Sequence, residues 1–85
     1  MSSLSPFQTV RENLGASKKA IALATGVNYF TIMQTERGLI KRPLTYARAL
    51  EEAGFIEDAE AILKEHAEWL QKLQRENLQT LQARA

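Results

Sequence analysis

Residues 17–38, SKKAIALATGVNYFTIMQTERG, carry the most informative pattern in this chain. The run at 29–33 is made of aromatic, β-branched and methionine side chains, a composition that favours a strand. A strand needs a partner, however, and the rest of the sequence shows neither apolar–polar alternation nor a hairpin turn. Ser17 and Asn28 are typical N-cap residues, and Gly26 and Gly38 can each end a helix in the left-handed conformation. We therefore predict two short helices joined by a turn at Gly26.

Three residues set the angle between these two helices. Ala22 is small enough for a close crossing, Gly26 allows a tight turn, and Ile32 anchors the second helix to the core. This spacing predicts a helix-turn-helix.

Helix signals continue on both sides of the motif. Before it, Ser5 is an N-cap residue followed by a proline, and Gly15 can end the helix that starts there. After it, Pro43 begins a further helix that Gly54 ends. Residues 56–83 contain neither glycine nor proline and consist mainly of strong helix formers, which predicts one long helix or a short helix running into a long one. We predict an all-α fold: a compact domain of four to five helices with a helix-turn-helix, followed by a long C-terminal helix.

The composition argues against catalysis. The chain has 85 residues, no cysteine and a single histidine, His66, so we expect a protein that is not an enzyme and holds no metal or cofactor. The first residues lack the basic flank and apolar run of a signal peptide, and no segment reaches the length of a membrane span. We therefore expect a cytoplasmic protein with no membrane partner.

Charge is divided unevenly along the chain. Residues 1–50 carry seven basic and two acidic side chains, a net charge of +5, whereas residues 51–85 carry four basic and eight acidic ones, a net charge of −4. This pattern is typical of a head that binds a polyanion, joined to a segment that stays away from it. A chance distribution with a solvated acidic helix is the alternative.

The motif and the loop after it match a known pattern at five places. The matching residues are Ile21-Ala22, Gly26-Val27, Ile32, Glu36-x-Gly38 and Lys41-Arg42-Pro43. With them the chain resembles the phage Cro/repressor (Xre-type) family of DNA-binding domains over residues 5–54. Two residues depart from the family pattern: Lys18 replaces a phosphate-contacting glutamine, and Thr35 replaces a leucine or isoleucine that pins the third helix.

The resemblance implies that residues 1–54 form a DNA-binding domain in which the start and outer face of the third helix enter the major groove. The base-reading residues would be Asn28, Tyr29, Phe30, Met33, Gln34 and Arg37. The phosphate-binding residues would be Lys18, Lys41 and Arg42. Val27, Ile32 and Thr35 would turn inward, and Glu36 would hold the domain's own backbone or an arginine.

Two functions fit this arrangement. The first is a sequence-specific regulator of transcription that binds double-stranded DNA, most simply a repressor acting as a homodimer on a palindromic operator. Such a protein would be associated with the nucleoid when bound. The second is a protein-binding module of the same fold, antitoxin-like or adaptor, that uses Tyr29, Phe30 and Met33. Asn28 can serve as an N-cap, a base contact or both, and the two rings can instead pack onto the core.

The long helix, within residues 55–85, is the predicted dimerisation element. Apolar residues follow an imperfect heptad pattern along one side of it. Four apolar residues fall outside that pattern: Ile62, Trp69, Leu78 and Leu81. We predict a dimer interface formed by Leu63, His66, Trp69, Leu70, Leu73 and Asn77. The alternative is a helix that folds back over its own domain.

Overall fold

Five helices make up the fold. The computed structural model describes residues 4–84, apart from the side chain of Arg84. The first three residues of the predicted segment 1–54 and the last residue of 55–85 therefore lie outside the described residues. The helices are α1 (Pro6–Asn13), α2 (Lys18–Thr25), α3 (Tyr29–Glu36), α4 (Leu44–Glu52) and α5 (Ala59–Arg84). The predicted all-α fold with a long C-terminal helix is confirmed, and 29–33 is helical.

Side-chain caps begin the first three helices where the sequence placed them. Ser5 Oγ accepts from the backbone N–H of Gln8 at 3.0 Å, and Ser17 Oγ accepts from that of Ala20 at 3.1 Å. Asn28 Oδ1 accepts from the N–H of Phe30 at 2.8 Å. Each cap satisfies one of the N–H groups that a helix start leaves without a partner.

The turn between α2 and α3 is three residues long. Gly26 caps α2 with φ +74°, and its N–H donates to the carbonyl of Ala22 at 2.9 Å. A residue with a Cβ is strained at this φ, which is why glycine stands here. Val27 then turns inward, and Asn28 starts α3. The predicted helix-turn-helix geometry rests on this turn.

The core joins α5 to the rest of the chain. Phe7 of α1 stacks on Tyr46 of α4 with ring centroids 5.0 Å apart, and Ile32 of α3 lies in the same buried cluster. Ala59 and Ile62, from the first turns of α5, belong to that cluster too. The boundary predicted after Gly54 falls in the turn before α5, whose first half packs on α4 and α1.

The structure corrects the predicted role of Leu63 and His66. Both are buried within a single chain, so the prediction that they lie in a dimer interface is wrong. His66 Nε2 lies 2.7 Å from the carbonyl oxygen of Ile40, and its ring is 5.2 Å from that of Phe7 and 5.5 Å from that of Trp69. For the first half of α5, the alternative of a helix folded back over its own domain is the correct one.

The surroundings of His66 favour the neutral imidazole. Because a carbonyl oxygen only accepts, Nε2 carries the proton, which leaves Nδ1 buried without a hydrogen-bond partner among residues 4–84. Burial lowers the pKa of His66, and the hydrogen bond to Ile40 only partly opposes that effect.

No helix within the described part of the chain is both long enough and apolar enough to cross a membrane.

Candidate nucleic-acid interface

Helix α3 has an inward and an outward face. Ile32 and Thr35 are fully buried and Glu36 is nearly so, whereas Phe30 is 61% exposed and Tyr29 is 45% exposed. Residues 33 and 34 extend the outward face one helical turn beyond Phe30, and residue 37 extends it one turn further. The predicted inward positions of Ile32 and Thr35 are confirmed.

All six residues predicted to read bases lie on the surface of one helix-turn-helix unit. Asn28, Tyr29, Phe30 and Arg37 are exposed, and Met33 and Gln34 are half-buried. Asn28 uses its side-chain oxygen as the N-cap of α3, and its amide nitrogen remains a donor. The cap is thus confirmed and is compatible with a base contact from the same residue.

A buried ion pair fixes α3 to α1. Arg11 Nε donates to Glu36 Oε2 at 2.7 Å, and Arg11 Nη2 donates to Glu36 Oε1 at 2.9 Å. The two side chains are only 14% and 4% exposed. Arg11 Nη1 also donates to the carbonyl of Ala16 at 3.0 Å, and the hydrogen bonds to Glu36 raise the pKa of Arg11. The prediction that Glu36 holds an arginine of its own domain is confirmed.

Thr35 places a polar side chain at a core position of α3. It is fully buried, and its hydroxyl donates to the carbonyl of Thr31 at 2.7 Å. The polar atom is satisfied inside the helix, so burying it does not leave an unpaired donor.

The cations predicted to bind phosphate are on the surface. Lys18 lies half-buried in the first turn of α2, and Lys41 is exposed in the loop between α3 and α4. Arg42, in the same loop, pairs with Glu60 at 3.2 Å. Both members of that pair are more than half exposed, so the pair is weak and competes poorly with a phosphate. Neither α2 nor α3 carries an acidic residue in its first turn.

Some surface features have no counterpart in the sequence predictions. Leu23 on α2 and Leu39 after α3 are both strongly exposed apolar residues. Leu23 could have been found from the helical spacing, because it lies opposite Ile21 on the helix. Leu39 carries no periodic signal, since it belongs to a loop.

Helix α5 covers the C-terminal end of α3 at Gly38. A Cβ added to Gly38 would lie 2.9 Å from Leu73 Cδ2 and 3.2 Å from both Leu70 Cδ2 and Trp69 Cη2. A groove of about 340 Å³ opens beside this contact. It is lined by Gly38, Lys41, Leu70, Leu73, Gln74 and Asn77.

The remaining residues of the predicted dimer interface divide between this contact and the surface. Trp69, Leu70 and Leu73 are half-buried against their own chain, whereas Asn77 is exposed.

The described residues contain no group of three or more histidine, aspartate or glutamate side chains that could hold a metal ion. Compared with protein-family models, with curated proteins and with solved structures, the chain matches none of them.

Proposed function

We propose that this protein is a sequence-specific regulator of transcription that binds double-stranded DNA, most simply a repressor acting as a homodimer on a palindromic operator. The observation that supports this most is the two-sided α3. Its inner face is fixed by Ile32, Thr35 and the Glu36 ion pair, while the opposite face is open from Asn28 to Arg37. A short, rigidly held helix with one free face is what major-groove reading requires.

The chemistry of the free face suits base edges. Asn28 and Gln34 carry amides that can pair with adenine, and Arg37 can pair with guanine. Tyr29 and Phe30 offer apolar surface to thymine methyl groups, and Met33 extends that surface. We therefore expect an operator rich in A·T pairs.

Cations near this face would hold the phosphate backbone. Lys18 at the start of α2 and Lys41 in the loop after α3 are the proposed contacts, joined by Arg42 once its exposed pair with Glu60 opens. Such contacts set the position of the protein on the duplex without reading its sequence.

One observation favours a second candidate, a protein-binding module of the same fold. Phe30 is 61% exposed and Tyr29 is 45% exposed, and with Met33 they give α3 an apolar face unusual for a DNA reader. An antitoxin-like or adaptor protein would bury these rings against a partner. It would have no need of cations placed to hold phosphates.

Binding to a random duplex library, followed by titration of the selected sequence across a salt series, tests the first proposal. Affinity should fall steeply as salt rises, because each phosphate contact releases counterions. Gln34→Ala should relax base preference, whereas Lys41→Ala should weaken all sequences alike and lower the salt slope by about 1. Lys64→Ala, which changes an exposed lysine on α5, is the matched control and should change neither.

The same experiment can reject either DNA recognition or the assigned residue roles. No binding to any duplex at low salt would reject DNA recognition. Equal effects of Gln34→Ala and Lys41→Ala on selected and random duplexes would reject the assigned roles. Phe30→Ser separates the two functions, because it should weaken the selected duplex only if the ring reads DNA.

A further inference from the structure

The outer half of α5 carries an apolar face that its own chain covers only in part, at Leu70 and Leu73. Beyond His66, no residue of α5 up to residue 83 is fully buried, and Leu78 and Leu81 are 54% and 63% exposed. At 100° per residue, the side chains of one face fall within an arc of about 140°. They are Leu70, Leu73, Gln74, Asn77, Leu78 and Leu81.

That face has no charged residue. The charged residues of the same stretch, Lys72, Arg75 and Glu76, point to the other sides of the helix. An uncharged leucine-lined face on an otherwise charged and amide-rich helix is typical of a surface that packs on another helix. The first part of the face, at Leu70 and Leu73, borders the groove beside Gly38.

The order of residues along this face reads alike in both directions. From 70 to 81 the sequence is LQKLQRENLQTL, with a centre between Arg75 and Glu76. Leucines stand at equal distances on both sides of that centre, and so do the amides Gln74 and Asn77. Two copies placed antiparallel about this centre would put Leu70 opposite Leu81 and Gln74 opposite Asn77.

We propose that the second copy of this chain docks here, its Leu78 and Leu81 entering the groove beside Gly38 while the two α5 helices pair antiparallel around residues 75–76. This pairing specifies how the homodimer of the proposed function forms. The role of the dimer in DNA binding rests on that proposed function. The antiparallel order follows from the groove and the bare leucines lying at opposite ends of the face. A parallel pair would place the two globular bodies at the same end and leave both grooves unfilled.

The central amides set the register of the pair. A glutamine and an asparagine can each donate and accept, so Gln74 and its opposite Asn77 satisfy one another across the two-fold axis. A polar layer between two apolar layers disfavours a sliding shift, because the shift would set amides against leucines. Lys41 lines the outer edge of the groove and stays in contact with water.

The pairing surface is small. Six side chains per copy are far fewer than the roughly 20–30 residues a side of a standard interface. The dimer therefore depends on protein concentration, and binding to adjacent half-sites strengthens it by raising the effective concentration of the second copy.

Disulfide cross-linking tests the register without DNA. The chain has no cysteine, so single-cysteine variants report only on the position chosen. A mixture of Leu70→Cys and Leu81→Cys chains, distinguished by mass, should form mixed disulfides under mild oxidation. Each variant alone should cross-link poorly, because its two copies lie about 16 Å apart along the helices and a disulfide needs Cα atoms within about 7 Å. Gln79→Cys, which points away from the pair, is the control partner for Leu70→Cys.

The opposite results overturn the proposal. Self-cross-linking of Leu70→Cys in preference to mixed disulfides would show a parallel pair, and no cross-linking above the Gln79→Cys control would show no such contact. Because Leu70 touches its own chain, sedimentation equilibrium provides a second measurement at the exposed Leu81. Leu81→Glu should weaken the dimer at least about tenfold, and Leu23→Glu on α2 should not; equal dimerisation of the two variants would also overturn the proposal. Cross-linked dimers without DNA affinity would reject the proposed function and leave the pairing intact.

Discussion

The ion pair between Arg11 and Glu36 is the contact whose removal should most affect the stability of α3. Two charge-assisted hydrogen bonds of 2.7 and 2.9 Å join side chains that are 14% and 4% exposed. Arg11→Met leaves a carboxylate in the interior, and Glu36→Met leaves a guanidinium there. Removing one partner of a buried pair costs about 3–5 kcal/mol of folding free energy.

This loss is large for so small a chain. Domains are stable by roughly 0.05–0.15 kcal/mol per residue, which for this length is roughly 4–13 kcal/mol in total. Replacing both residues by methionine leaves neither charge unpaired. The free energy of unfolding of the double variant should therefore be at least about 3 kcal/mol higher than the sum of the two single losses predicts.

Urea denaturation followed by the fluorescence of Trp69, the only tryptophan, measures these losses. With an m-value near 1 kcal/mol/M, Glu36→Met should lower the midpoint by about 3 M. A midpoint within about 0.5 M of the parent, or losses that simply add in the double variant, would show that this pair does not hold α3 against α1.

Three further predictions concern the core and the Gly38 contact. Burial lowers the pKa of His66, so the unfolded chain binds a proton at a higher pH than the folded chain does. The free energy of unfolding should therefore be fully present above about pH 6.5 and fall below that pH by at most about 1.4 kcal/mol per pH unit. In denaturation experiments His66→Gln should lack this dependence. The hydroxyl of Tyr46 is buried without a hydrogen-bond partner among the described residues, so Tyr46→Phe should change the unfolding free energy by less than about 1 kcal/mol. Burial also raises the pKa of Tyr46, so the parent protein should lose stability above about pH 10, and Tyr46→Phe should lose less. Gly38 and Gly54 share φ +80°, but of the two only a Cβ at Gly38 would meet side chains. Backbone strain should cost both alanine variants about 1–2 kcal/mol of folding free energy, and thermal unfolding should show a larger loss of stability for Gly38→Ala.

Local chemistry made much of the fold predictable. The caps at Ser5, Ser17 and Asn28 and the glycine after each of the first four helices follow from hydrogen-bond and backbone rules that act over a few residues. The inward position of Ile32 follows from helical spacing. These predictions needed no knowledge of which elements meet in space.

The predictions that failed depended on which surface covers an apolar stripe. Leu63 and His66 were assigned to a second copy of the chain, yet they face the chain's own core. Periodicity identifies neighbours along one helix face and is the same whether the covering surface belongs to the same chain or to another. The partner of Glu36 was hidden for a related reason, because Arg11 lies 25 residues away and no local pattern joins the two.

The hydrogen bond from His66 to Ile40 and the contact of α5 with Gly38 have a consequence for the transfer of this motif to other proteins. The loop that carries Lys41 is anchored by α5, so the contacts that hold the motif in place reach beyond α4. A chimaera that borrows only residues 5–54 would expose Phe7 and Tyr46 to water and leave the loop without its anchor. We therefore expect a portable unit to include residues 5–73, because a grafted α3 and its loop would otherwise lose their contacts with the first half of α5.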